Sequence, residues 1–301
     1  VYIYSPQEDA PWSEGAASRW RLHHSLSKLA NSLLELNIKL HLVKANSVDS
    51  IEKGVKIDNI DFMVWTNRVE PNRVICDTKI ENKLNTKNIT EQRITNGLIQ
   101  NPADFLTASK QTPYRVFTPF YRKLRSELNF SDFYSHGTQV KKCAPCLEKI
   151  NLNSADSLNK LGLLDTHNWH SKLHQYWTPG EDAAHIRLDD FIDEKILDYI
   201  PSRDYPAIEA TSTLSPHLHF GEISLPQIII ALIPLLEYKN RNYAEAAQDF
   251  LRQLIWREYA QYIMYHFPHT ALQPMNEKFH DGFWKDDKEN LEKWQHGNTG
   301  I

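Results

Sequence analysis

The apolar positions change rhythm once along the chain. In the first third, short runs rich in β-branched, leucine and aromatic residues recur: VYIYS at 1–5, IKLHLV at 38–43 and IDFMVW at 60–65. Between them, residues 16–36 carry Leu26, Leu29, Leu33 and Leu34 on one side of a helical period. Strands alternating with helices are βαβ grammar and predict an α/β N-terminal domain over 1–125: an open, Rossmann-like parallel sheet wrapped by helices. Its first strand is VYIYS or a segment upstream of it. From 126 to 176 the pattern weakens into an Asn-, Ser-, Lys- and Asp-rich connection that reads as an interdomain linker. Beyond Trp177 strand patterns stop and helical ones take over, in SLPQIIIALIPLLEY (224–238) and in a long run over 243–266. An all-helical second domain is expected over 177–301. Pro234, inside its most apolar run, predicts a buried, kinked helix, and that run is too short to cross a bilayer.

Composition narrows the picture without redirecting it. The chain has 301 residues, enough for two cores, and its mixture of apolar and charged residues is that of a globular protein. No apolar run has the length of a membrane span and no leader pattern opens the chain, so the cytoplasm is the expected location. Three cysteines make no disulfide framework. Val1 opens inside a strand-like run and Ile301 closes inside a motif, which reads as a fragment truncated at both ends. A formal net charge of -4 argues mildly against a general nucleic-acid binder, although a protein that extracts one site needs only a local basic rim. With 10 glycines and no GxGxxG after any strand, the first domain is not expected to hold a dinucleotide in the Rossmann manner.

Two stretches carry candidate chemistry. In 199–224, YIPSRDYPAIEATSTLSPHLHFGEIS, the hydroxyls of Thr211, Ser212 and Ser215 crowd before a helix start; Ser215 reads as the N-cap and Pro216 as the first helical residue. Free N–H groups there suit a phosphate, although an ordinary capped helix after a loop gives the same pattern. In 250–262, FLRQLIWREYAQY, residues Phe250, Leu254, Arg257 and Gln261 share one helical face, while Gln253, Trp256 and Ala260 share an adjacent one. Trp, Arg and Gln in such places suit a planar, charged ligand. A Trp256-packed helix with Arg257 paired to Glu258 is the plainer alternative. Cys143-Ala-Pro-Cys146 has the spacing of a redox pair or half a zinc site, without a second pair to complete it. His167, His170 and His174 read as a solvated histidine face, and no metal site is expected.

The motifs WTPGEDAAHIRLDDFI (177–192), Tyr199 followed by Arg203-Asp204, TSTLSP then FGEIS, LIWREY, and WQHGNTG (294–300) occur in this order. Upstream stand YSPQEDAPWSEGAASRW, NRVEPNRV and PYRVFTPFYRKLR. Together they resemble the photolyase and cryptochrome flavoprotein family, most closely the bacterial class I cyclobutane pyrimidine dimer photolyases. The resemblance implies an antenna domain over 1–125 and an FAD-binding helical domain over 177–301. FAD would be held by Tyr199, Thr211, Ser212, Thr213, Leu214 and Ser215, with Phe250 and Arg257 beside the flavin. Members of the family can also carry an antenna chromophore, methenyltetrahydrofolate or a deazaflavin, yet SKQTPYRVFTPF lacks the acidic residue of the folate-binding members.

The resemblance further implies light-driven repair of UV-damaged DNA by a monomer, with no nucleophile or metal. Trp256 would wall the pocket for a flipped pyrimidine dimer, Gln253 would contact it, and Arg203, Gln253, Trp256, Tyr259 and Ala260 would meet the DNA. Trp294 matches the surface end of a tryptophan electron relay. Gln253 stands where cyclobutane-dimer photolyases usually have glutamate, which keeps two alternatives open: a (6-4) photolyase and a cryptochrome-like blue-light photoreceptor.

Overall fold

The computed structural model describes residues 1–58, 60, 62–94, 97–134, 158–165, 167–280 and 285–300. Cys143 and Cys146 lie outside the described residues, as does much of the polar connection. The N-terminal part runs β1 (Tyr2–Tyr4), α1 (Ala16–Glu35), β2 (Leu42–Lys44), α2 (Ser47–Asp58), β3 (Phe62–Thr66), α3 (Pro71–Asn85) and β4 (Thr90–Ile94). Both strand pairs are parallel: β1 lies on β2 with Tyr2 opposite Leu42, and β3 lies on β4 with Phe62 opposite Thr90. Each pair is joined by one helix, as a βαβ unit requires. The expected single open sheet is present as two two-stranded pieces among the described residues. With β1 and β2 only three residues long, these pieces depend on the packed helices for their stability. β4 was not anticipated. Its sequence, TEQRI, is mostly polar and gives no apolar alternation to read.

α1 buries Trp20, Leu22 and Leu26 along its first half, whereas Leu34, expected on the same face, is exposed. Against Leu22, Leu26 and Tyr4 pack Leu158, Leu161 and Leu163. The polar connection thus supplies three leucines to the core of the N-terminal part.

The remainder is helical: α4 (Phe117–Glu127), α5 (Glu181–Asp190), a π-helical stretch over Phe191–Lys195, α6 (Ile196–Ser202), α7 (Ser215–His219), α8 (Leu225–Leu236), α9 (Arg241–His266) and α10 (Lys288–Gln295). One core joins Phe120 and Leu124 of α4, Leu188 of α5, Ile228, Ile229 and Leu232 of α8, and Leu251, Ile255 and Tyr262 of α9. α8 starts on a capping box in which Ser224 and Gln227 exchange side-chain and backbone bonds. Pro234 lies in its last turn, where only the bond to the carbonyl of Ile230 is lost. Among the described residues, no helix is long and apolar enough to cross a membrane.

A buried polar knot ties the two parts together. Arg21 of α1 donates to Glu222 Oε2 at 2.5 Å, His217 Nδ1 of α7 lies 2.6 Å from the same oxygen, and the Gly180 N–H donates to Glu222 Oε1 at 2.9 Å.

Candidate cofactor site

α9 presents Phe250, Gln253, Leu254, Arg257 and Gln261 to a cavity of about 710 Å3. The spacing of three, four, seven and eleven from Phe250 keeps all five on one broad face. Across from them run Thr211, Ser212, Thr213, Leu214 and Ser215, with Tyr199 of α6 and with Leu218 and His219 of α7. The wall from the N-terminal part is Asn67, Arg68, Val69 and Glu70, the loop between β3 and α3. The cavity size is that of a cofactor site, which in general spans about 300–1,000 Å3. Its base is aromatic. Phe250 meets Phe191 at 4.6 Å between ring centroids and Tyr199 at 5.5 Å, and the π-helical turn holding Phe191 sets the phase in which Tyr199 reaches the cavity.

Arg257 is half-buried, and burial pushes its guanidinium below the usual arginine range. Its single hydrogen bond among the described residues is a long one, 3.4 Å to the Leu218 carbonyl. No ion pair with Glu258 forms: Glu258 faces away from the cavity and accepts from the N–H groups of Ile99 and Gln100 at 3.1 and 3.0 Å. Arg68 is already engaged in a two-pronged pair with buried Asp77. Among the described residues, Arg257 is therefore the arginine of the cavity lining with no carboxylate partner.

The hydroxyl run differs in detail from the expectation. Ser215 is the first residue of α7 and not its N-cap; Leu214 occupies the cap position without a side-chain bond. Ser212 Oγ instead accepts from the Leu214 N–H at 3.4 Å. A five-residue helix has little dipole, so anion affinity here rests on hydroxyls and loop N–H groups and not on a helix end. Thr213 has a φ of 51°, a left-handed conformation unusual for a β-branched residue. Its hydroxyl accepts from Arg187 at 2.7 Å, which holds the loop in that shape.

The other candidates lie apart from the cavity lining. Trp256 stacks on Phe117 with ring centroids 3.5 Å apart and is 43% exposed; it sits on the neighbouring face of α9. Arg203 lies over the outer side of the Tyr199 ring at 5.4 Å and is paired with Asp249. Tyr259 is buried among Phe117, Phe120 and Tyr262 and offers no surface to a nucleic acid, while Ala260 is exposed. Trp294 is 71% exposed on α10. His174 is exposed, and its ring also meets those of Trp20 and His24 at 4.9 and 4.6 Å. Burial, and then the neighbouring histidines, push His24 down to about 4. No group of metal-ligating side chains was found among the described residues. The sequence reading missed Asn67–Glu70. Their only signal was the NRVEPNRV motif, since nothing local says which loop a fold brings to a distant helix.

A model of DNA photolyase matches residues 1–142, and a model of the FAD binding domain of DNA photolyase matches 250–301. The chain belongs to the DNA photolyase family. Across its whole length it is 32% identical to the deoxyribodipyrimidine photo-lyase of Agrobacterium fabrum and covers 60% of that protein. It is 28% identical to Cryptochrome-2 of Arabidopsis thaliana, of which it covers 50%. The crystal structure of a bacterial class III photolyase from Agrobacterium tumefaciens superposes with a TM-score of 0.81 at 30% identity, over 99% of this chain and 59% of that one. A Synechocystis cryptochrome at 18% identity and a TM-score of 0.76 shares the fold. The chain thus spans half to three fifths of these relatives. The photolyase family stands, whereas the class I placement finds no support in these matches. The photolyase fold, an α/β part followed by a helical one, and FAD as the cofactor of the matched helical domain go with that membership.

Proposed function

We propose that the cavity holds FAD and that the protein repairs cyclobutane pyrimidine dimers in DNA under light. The observation that carries this reading is the convergence of Tyr199, the 211–215 hydroxyl run, Phe250, Gln253 and Arg257 on one cavity. The residues fit the group: hydroxyls and loop N–H groups for phosphates and the ribityl chain, aromatic surface for the ring, and a guanidinium with no carboxylate partner for an anionic flavin. Bound there, reduced FAD supplies one electron on excitation by light. The chain's own work is binding and electrostatics. Arg257 lowers the energy of negative charge in the cavity, and Gln253, also lining it, donates a carboxamide hydrogen bond to a carbonyl of a flipped base pair. Trp256 and Arg203 flank this lining on the outer face, where an aromatic ring and a positive charge suit extruded bases and their phosphates.

Blue light on the reduced, flavin-loaded protein should convert a cyclobutane thymine dimer in an oligonucleotide to two thymines, with no conversion in the dark. Equal product in light and dark, or none in a protein loaded with flavin, overturns this reading. A second reading, a cryptochrome-like photoreceptor, draws on Gln253 and on the plant cryptochrome match along the whole chain. Light-dependent binding of a protein partner without repair would select it.

A further inference from the structure

A second depression, of about 530 Å3, lies on the other side of α9 from the cavity. Its walls are Phe117, Thr118, Tyr121 and Arg122 of α4, Ile200 of α6, and the α9 face that includes Gln248, Asp249 and Arg252. The aromatic wall is continuous: Trp256 stacks on Phe117, Phe117 stacks on Tyr121 at 5.6 Å, and the Arg252 guanidinium lies 6.0 and 5.9 Å from the Phe117 and Tyr121 rings. Charge in the groove is unbalanced. Its two carboxylates are taken up, Asp249 by Arg203 and Glu245 by Arg241 at 2.6 Å. Arg122 and Arg252 are exposed and form no ion pair among the described residues. A ring-lined slot edged by two uncommitted guanidinium groups is complementary to one planar base and one phosphate.

We propose that this groove is a second nucleotide subsite, taking the unstacked nucleotide next to the lesion on the same DNA strand. The base lies against Tyr121 and Ile200, and its phosphate lies between Arg122 and Arg252. The proposal rests on the lesion reading of the first cavity. Position favours a nucleotide of that strand over a free chromophore. The cavity and the groove lie on opposite sides of one helix, with Gln253 lining the one and Arg252 the other, so they are separated by about the 10–12 Å width of a helix with its side chains. A strand that leaves the cavity past Trp256 runs directly onto the groove, and the two arginines stand at the surface where its backbone passes.

The test uses the flavin-loaded protein and short ligands: a bare cyclobutane thymine dimer dinucleotide, and the same dimer carrying one added nucleotide on its 5′ or its 3′ side. One flank is expected to tighten binding about tenfold through stacking and phosphate contact. Arg122→Ala with Arg252→Ala, and separately Tyr121→Ala, should reduce that gain to less than about threefold and leave the bare dimer's affinity and the flavin content unchanged. On long lesion duplexes the double arginine variant should also flatten the dependence of log K on log salt by about one. A flank gain that survives the substitutions, or no gain with either flank, overturns the subsite alone. Failure of the bare dimer to bind overturns the reading of the cavity beneath it. If folate added by itself binds the wild type and not the arginine variant, while no flank gain appears, the groove belongs to a chromophore and the nucleotide is excluded.

Discussion

Arg257 and Glu258 are sequence neighbours of opposite charge that do not pair. Consecutive helix positions point about 100° apart, so the sequence alternative of an Arg257–Glu258 pair was sterically unfavourable from the start. Arg257 turns to the cavity, while Glu258 turns inward, 3% exposed, and anchors the Ile99 and Gln100 N–H groups. Burial outweighs those two bonds and the nearby Arg257 charge, and raises the Glu258 carboxyl to about 7. A raised folded-state value means that the native state keeps a proton the unfolded chain loses. The contribution of Glu258 to stability is therefore complete below about pH 4.5 and is lost progressively as pH rises to about 7, by an amount on the order of 3 kcal/mol. Glu258→Gln removes this slope. Its amide turns an N–H toward one of the two backbone donors, which costs about 1–3 kcal/mol at low pH, so the variant should approach or overtake the wild type by pH 8. Urea unfolding at steps from pH 4.5 to 8 measures this directly. A difference between the two proteins that stays constant across that range would show the carboxyl to be ionised throughout.

At the scale of elements, period decided what could be read. The expected helices over 16–36 and 243–266 are found as Ala16–Glu35 and Arg241–His266, because each carries several turns of apolar repeat. β4 was hidden by its polar sequence, and the contribution of Leu158, Leu161 and Leu163 to a core was hidden by the Asn, Ser and Lys around them. The tie between α1 and α7 was also invisible, since Arg21 and Glu222 are 201 residues apart. Burial alone would raise the Glu222 carboxyl, but hydrogen bonds from His217 and Arg21, the Arg21 charge and the Gly180 N–H hold it below the usual glutamate range. Such a group stabilises the fold above the ordinary carboxylate range, and that contribution is lost as pH falls through its lowered value. Glu222→Ala leaves the Arg21 guanidinium, itself only 5% exposed, without its counter-charge. A loss of about 3–5 kcal/mol is expected in urea unfolding, with much of it regained when Arg21→Met is added. A single-variant loss below about 1 kcal/mol, or no recovery in the double variant, would mean that the knot does not hold the two parts together.

For the molecule as a whole, the order of motifs was enough to read an α/β part followed by a helical one, and the face of α9 was enough to group Phe250 with Arg257, whereas Gln253, read on the adjacent face with Trp256, lines the same cavity as those two. The outer position of Trp256 was not legible, because its stacking partner Phe117 comes from a helix 139 positions earlier in the chain. The same division sets the last prediction, which concerns Gln253. Lining the cavity without belonging to the Trp256 stack, its carboxamide can donate a hydrogen bond to a bound carbonyl but has no proton to release at neutral pH. If electron transfer is the step that opens the lesion, a proton donor here is dispensable. Gln253→Glu in the reduced, flavin-loaded protein should then preserve or raise the repair yield by at most a few-fold. A hydrogen bond to a charged group is worth about 1.5–3 kcal/mol, and part of that is already expressed before the reaction begins. Product formation under blue light, measured side by side on cyclobutane and (6-4) substrates, decides the matter. A gain of more than about a thousandfold on cyclobutane dimers from Gln253→Glu, beyond what one such bond supplies, would show that the native Gln253 had sacrificed that chemistry. Turnover of (6-4) lesions alone by the native protein would move the specificity to that substrate. With neither lesion repaired by a folded, flavin-loaded protein, the hydrogen bond from Gln253 would serve the flavin itself, as a photoreceptor requires.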